Sequence, residues 1–309
     1  MRSLGRRPQP AVASTPMNLP LLSPELSPRP ALAVQRGDGC PLAEEARALR
    51  REIVQALYAT GGGHYGGCLT VIDLLLTLYR RVLRVNPQQP RDPARDRLIL
   101  SKGHAALAHY AVLRQLGYFE ESLQRYAGFG SILEGHPDML TVPGVDFSTG
   151  SLGQGLSVGV GMAHAMRHTD ARVWVALGDG ECQEGQVWEA AMLAGMCGLG
   201  RLHAIVDHNR FQEWGWNAGP DGVPPPVLEL AGKWRAFGWR VIECDGHDFA
   251  AIERATALAC TPSPQPSVIL AATVKGRDVP LCEADPQRFH CDAVSAQEHA
   301  AILESLACA

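Results

Sequence analysis

The sequence predicts an α/β fold: a doubly wound, mostly parallel sheet with helices on both faces, in one domain over residues 41–309. Three observations predict it. Short apolar runs alternate with helix-period segments along the chain, the order of βαβ units rather than of a bundle or a sandwich. Polar residues close the apolar runs, as in Gly178-Asp179-Gly180 and Asp207-His208-Asn209. No internal repeat and no linker interrupts the pattern after the first 40 residues.

Residues 1–40 are rich in Pro, Ser and Arg and lack periodicity, which predicts a disordered tail. No continuous apolar segment follows the early arginines, so the tail does not read as a secretory signal, and Met17 is a second candidate start. From Leu42 the pattern becomes helical, placing Leu42, Ala46, Leu49, Ile53, Val54 and Leu57 on one face. Gly61-Gly62-Gly63 ends that helix and His64 follows. A second helix is expected over LTVIDLLLTLYRRVL, then a polar loop. RLILSKGHAALAHYAVLRQLGY reads as strand, loop with Lys102-Gly103-His104, and helix. Residues 128–150 are irregular, and GSLGQGLSVGVGMAHAMRH is a glycine-rich turn into a helix whose small residues permit close packing. VWVALG is a strand, a helix-period segment follows, and a second apolar run ends at Asn209. Gln212 to Pro226 reads as a Pro/Gly/Trp-rich loop. PVLELAGKWRAFGW is a helix, WRVIECDG a strand, FAAIERATALAC a helix and SVILAATVKG a strand.

The stretch from Val173 to Phe211 carries the chemistry. A parallel crossover brings its second strand into the layer of the first, with both carboxyl ends on one edge. If the strands are neighbours, their ends lie roughly 5 Å apart. Asp179 and Asn209 then offer a carboxylate oxygen and an amide oxygen to one point in the crevice where open α/β sheets bind ligands. Hard oxygens with a single charge suit Mg²⁺, which keeps few carboxylates and fills its octahedron with water and phosphates. Gly178 and Gly180 allow a sharp turn and close approach of a phosphate, and the next helix would aim its N–H groups at the same anion. The expectation is a metal-bridged diphosphate.

A formal net charge of −4 provides no footprint for nucleic acid or an anionic membrane, and no apolar run approaches a membrane span. Nine cysteines without a CxxC pair argue against a disulfide framework or a zinc site and fit a reducing cytoplasm. Cys182, beside the expected metal, is a poor Mg²⁺ ligand and reads as packing. His64, His104, His136 and His290 sit in turn-like settings (GGGH, SKGH, EGHPD, RFHCD), from which they could converge on the crevice. His109, His164, His168, His203, His247 and His299 read as histidines without a role. Glu184 and Glu189 are either exposed helix-face residues, or at least one of them reaches a subunit interface or the cofactor's surroundings, and spacing leaves both open.

These motifs resemble the thiamine-diphosphate enzymes, and specifically the transketolase family. GGGHYGG, LSKGHAAL, EGHPDM, STGSLGQG, GDGECQEGQVWEA and KWRAFGWRVIECDGHD together are similar to its amino-terminal half, most closely the version made as a separate subunit. The resemblance covers 41–309 and implies a thiamine-diphosphate-binding fold. It implies that Asp179, Asn209 and the Phe211 carbonyl bind Mg²⁺, and that His104, Gly150, Leu152 and Gly180 contact thiamine diphosphate. His64, His136 and His290 would line the channel for the sugar substrate and assist proton transfers, His290 also approaching the diphosphate. Glu184 would match a buried interface glutamate of the family, and Glu189 its neighbour. The implied reaction passes a two-carbon ketol unit from a ketose to an aldose, with the cofactor as electron sink. The implied partner is a polypeptide with the pyrimidine-binding domain and its activating glutamate, joined in a heterotetramer.

Some positions depart from the family pattern: Tyr65 replaces a usual proline, EWGWNAGPDGVPPP inserts Trp214 and Trp216, GRDVP follows Lys275, and Cys291 follows His290. They leave the sugar open. Rival readings are the α subunit of a 2-oxo acid dehydrogenase and a non-catalytic subunit that binds the cofactor. A dinucleotide-binding domain is disfavoured because no GxGxxG follows an early strand.

Overall fold

A computed structural model describes residues 42–212 and 229–308. The expected tail, the alternative start at Met17 and the Trp214/Trp216 segment lie outside the described residues.

All strands of the sheet are parallel. They are β1 (Arg97–Leu100), β2 (Val173–Gly178), β3 (Leu202–His208), β4 (Arg240–Asp245) and β5 (Ser267–Ala272), in the spatial order β1-β2-β3-β5-β4. Alternate residues of each strand feed two separate cores. Leu98, Trp174, Ile205 and Ile269 pack beneath α1 (Leu42–Ala59), α2 (Tyr65–Thr77), α3 (Ala106–Gln115) and α7 (Phe249–Ala259). Ile99, Val175, Ala204 and Val268 face α4 (Gln154–Ala165), α5 (Gly185–Met196) and α6 (Leu230–Ala236). Because both faces are covered at the centre of the sheet, β2 and β5 read as largely apolar runs, whereas edge strand β4 is only partly buried. This is the expected doubly wound fold.

One helix departs from expectation at both ends. The second helix starts at Tyr65, earlier than Leu69, and its end at Leu78–Val82 is a π turn. Gly66 and Gly67 argue against helix by propensity, yet α2 is buried along its whole length, and tertiary packing overrides the local preference. The two glycines make room for neighbours. A Cβ on Gly67 would stand 2.9 Å from the His104 ring, and one on Gly66 2.9 Å from the Phe289 carbonyl. Likewise a Cβ on Gly159 of α4 would meet Val175 at 2.5 Å, so the small residues there serve close helix-to-sheet packing as expected. Beyond the last strand lie α8 (Pro280–Ala284) and α9 (Ala296–Cys308), which the sequence pattern does not reveal.

The crevice follows from the winding. After β3 the chain continues to α6 on one face, whereas after neighbouring β5 it passes to Val279 and Cys282 on the other. Adjacent strands sending their chains to opposite faces open a gap at their carboxyl ends.

Candidate active site

That gap is a cleft of about 440 Å³ lined by residues from the ends of every strand but β4. Lys102 and His104 come from the loop after β1, Asp179 and Gly180 from β2, Asn209 and Phe211 from β3, Lys275 from the loop after β5. Gly150, Leu152 and His290 complete the wall.

β2 and β3 are neighbours, with Gly178 opposite Asp207, so Asp179 and Asn209 share one edge as expected. Asp179 is 1% exposed. Its carboxylate accepts the N–H groups of Gly180, at 2.8 Å, and of Arg210, while Asn209 Oδ1 accepts the Phe211 N–H at 2.9 Å. Burial, and secondarily the nearby Asp207 carboxylate, push the Asp179 carboxyl up to about 7. Such a group is stabilised in its charged form by a cation. The nearest lysine is already committed: buried Lys102 is ion-paired with buried Asp207, which also accepts from Thr273 Oγ1. One buried carboxylate, one amide oxygen and adjacent backbone carbonyls fit a hard divalent cation that takes its other ligands from water and phosphate. Among the described residues no cluster of three His, Cys, Asp or Glu side chains forms an all-protein metal cage.

The glycines act differently from expectation. Neither Gly178 nor Gly180 has a positive φ, so the turn does not itself demand glycine. Gly180 is needed for room, since a Cβ there would meet Gln212 Cγ at 2.8 Å, but a Cβ on Gly178 would find only ordinary contacts. Nor does an α-helix start directly after Gly180. A 3₁₀ turn at Gly180–Gln183 intervenes, and its first N–H is taken by Asp179 itself. Cys182 is buried with its thiol against the Gly178 carbonyl, in accordance with packing.

His64, His104 and His290 form a triangle with ring centroids 5.4, 5.5 and 5.6 Å apart. Burial, with Lys102 and the other histidines adding to it, holds the His104 imidazole well below its usual range, and burial followed by repulsion from His136 lowers His64. Burial and then Lys275 bring His290 down to about 4. Lys275 Nζ lies 3.1 Å from His290 Nδ1. An ammonium only donates, so Nδ1 accepts and the His290 proton sits on Nε2. His136 is exposed, and a Cβ on Gly150 would lie 3.3 Å from its ring. The turn-like histidines therefore do gather. Leu152, 36% exposed, stands at the cleft wall. Glu184 and Glu189 are exposed on this chain; Glu184 precedes α5, and the burial implied for it by the family is not provided within the described residues.

Sequence reasoning missed Lys102, Lys275, Asp207 and Glu181. Glu181 is 2% exposed and ties three turns together, accepting from Ser101 Oγ, from Gly153 N at 2.8 Å and from Gly178 N at 3.0 Å. Its place directly after GDG was the available signal. Three of the discounted histidines also have partners: His109 bonds Tyr79 Oη at 2.7 Å, His203 bonds Ser267 Oγ at 2.7 Å, and His247 bonds Asp73 at 2.7 Å. Tyr65 is buried edge-on to Phe289, as a core residue.

Residues 41–308 match the family described as transketolase, thiamine diphosphate binding domain. The chain belongs to the transketolase family. It is 41% identical over 245 residues to a 6-deoxy-6-sulfo-D-fructose transketolase subunit of Clostridium sp. (strain MSTE9), covering 78% of this chain and 88% of that one. It is 37% identical over 261 residues to one subunit of the apulose-4-phosphate transketolase of Phocaeicola vulgatus, covering 82% and 90%. Among solved structures, a transketolase from Campylobacter jejuni superposes with a TM-score of 0.76 at 28% identity, covering 86% of this chain and 42% of that one. The transketolase-family chain thus spans most of the length of the named subunits and under half of that transketolase.

Proposed function

We propose that this chain is the amino-terminal subunit of a two-component transketolase, binding thiamine diphosphate through Mg²⁺. The observation that carries the reading is the buried Asp179 carboxylate beside Asn209, at the crevice where adjacent parallel strands end. Asp179, Asn209 and the Phe211 carbonyl would hold Mg²⁺. His104, Gly180 and Lys275 would face the diphosphate, and Gly150 and Leu152 would shape the wall. When bound, the cofactor supplies a nucleophilic carbon and an electron sink for the two-carbon unit. The residues do the rest. His64 is neutral near pH 7, so it can accept a proton from a sugar hydroxyl, whereas His290, whose Nδ1 is turned to Lys275, can donate from Nε2. His136, at the exposed mouth, would orient the incoming sugar.

The reaction transfers a ketol unit from a ketose or ketose phosphate to an aldose. A partner polypeptide with the pyrimidine-binding domain would complete the site, in a heterotetramer. The match to named subunits of similar length supports this, as does the outer face of α5, where Glu189 lies beside exposed Met192, Leu193 and Met196. A cytoplasmic location agrees with the described cysteines, all free, and no helix among the described residues is long and apolar enough to cross a membrane. The family match favours this reading over the 2-oxo acid dehydrogenase alternative.

Two measurements test it. Assayed with its partner, the chain should transfer a ketol unit, and alone it should not; full activity in isolation overturns the two-component reading. Asp179→Ala should lower Mg²⁺-dependent thiamine diphosphate affinity at least about a hundredfold while leaving the circular dichroism spectrum unchanged, because it removes the charged protein ligand. Unaltered affinity places the metal elsewhere.

A further inference from the structure

Away from the cleft, a buried charged cluster joins four parts of the chain. Arg50 of α1 is 1% exposed. It donates to the Leu69 carbonyl at 3.1 Å and to Asp73 Oδ2 of α2 at 2.7 Å, and its other terminal nitrogen lies 3.2 Å from Asp278 Oδ2. His247, after β4, lies 2.7 Å from the same Asp73 oxygen. Its Nε2 accepts the Val274 N–H at 2.8 Å, so Nδ1 carries the proton and donates to Asp73. The histidine is thus a relay with one end on α2 and the other on the backbone after β5.

Val274 and Asp278 bracket the short loop that carries Lys275 into the cleft. That loop is held at further points. Gly276 N donates to Thr70 Oγ1 of α2 at 3.0 Å. Gly276 has φ +82°, and a Cβ there would meet Cys282 at 2.5 Å. Asp278, a non-glycine residue, sits at φ 64°, a left-handed conformation that costs free energy and persists where surroundings enforce it. Lys275 in turn contacts His290. α2 begins directly after His64, so one helix anchors both a histidine of the triangle and the lysine loop.

We infer that Asp73 and His247 are positioning residues that set Lys275, and through it His290, against the diphosphate. They touch neither cofactor nor sugar. Burying an arginine, a carboxylate and an imidazole together is costly compared with apolar packing. Here the arrangement does something apolar packing would not do, because only a side chain with a donor at one end and an acceptor at the other can connect Asp73 to the Val274 N–H. The inference rests on the reading of the cleft as a diphosphate site.

The test uses the full-length chain together with its partner subunit, and two readouts. His247→Phe removes both bonds, whereas His247→Gln retains one donor and one acceptor. His247→Phe should speed amide hydrogen exchange in residues 273–279 at least tenfold and weaken thiamine diphosphate binding in the presence of Mg²⁺ about tenfold. His247→Gln should recover most of both. Thr70→Val, which removes the second tether without touching the cluster, should act in the same direction by about threefold, and it serves if His247→Phe does not fold. In a Lys275→Ala background, His247→Phe should change affinity no further, since the effect runs through that lysine. Unchanged exchange in the loop overturns the inference. So does a loss of affinity that adds fully to that of Lys275→Ala. If these variants leave affinity unchanged while Asp179→Ala abolishes it, the inference fails and the diphosphate reading stands; if the unaltered chain binds no cofactor even with its partner subunit, both fall.

Discussion

α2 and α5 pack on opposite faces of one sheet and are completed to different degrees. All of α2 is buried within the chain. α5 buries Val187, Ala190, Ala191 and Ala194 against the sheet, while Met192, Leu193 and Met196 remain 54%, 45% and 77% exposed. Single exposed apolar residues are ordinary. Met196 lies four residues after Met192 and three after Leu193, so the three form a contiguous stripe on one helix, the kind of surface that a partner covers. The contrast separates two kinds of constraint: α2 answers to folding and, on our inference, to the placement of the lysine loop, whereas we propose that α5 answers to assembly.

The largest effect is expected at the charge anchored on α2. Arg50→Ala leaves the buried Asp73 carboxylate with one partner fewer, and loss of one member of a buried pair costs about 3–5 kcal/mol. Urea denaturation should report that loss; a cost under about 1 kcal/mol would mean that α2 does not depend on the cluster.

A second effect depends on pH. His64, His104 and His290 have folded values below the ordinary imidazole value of 6.5, His290 at about 4. In that window the unfolded chain binds more protons, so stability is highest above pH 6.5 and falls as the pH drops toward 4. His290→Gln should flatten part of this slope in denaturation curves at pH 7, 5.5 and 4.5. An unchanged slope would show that His290 titrates alike in both states.

The smallest effect on the chain itself is expected at α5. Met196→Glu should alter its denaturation midpoint by no more than about 0.5 kcal/mol, as an exposed substitution does. The same variant should weaken association with the partner subunit about tenfold, a loss of roughly 1.4 kcal/mol typical of an interface contact, measured by sedimentation velocity. Equal association would remove α5 from the interface.

Much of the site was legible because its residues belong to strand ends and turns. Asp179 and Asn209 are separated by one helical crossover, and parallel topology leaves little choice about where such residues go. The histidines at glycine turns were legible for the same reason. His247 was not. Its partner Asp73 is 174 positions away, and nothing local distinguishes GHD from an ordinary turn. Arg50 was hidden on the apolar face of α1, and Glu181 beside a more familiar acid. Lys275 follows a strand, but only the loop geometry turns it into the cleft.

The sequence by itself determined the parallel doubly wound sheet, the pairing of Asp179 with Asn209 and the convergence of the turn histidines, because period, chain order and handedness of crossover act locally and leave few arrangements. Only the tertiary structure decided which charges are buried together, which glycines are needed for room rather than for φ, and where α2 begins. Those depend on contacts between distant segments, whose free energies of burial and pairing exceed the local preferences that a sequence displays.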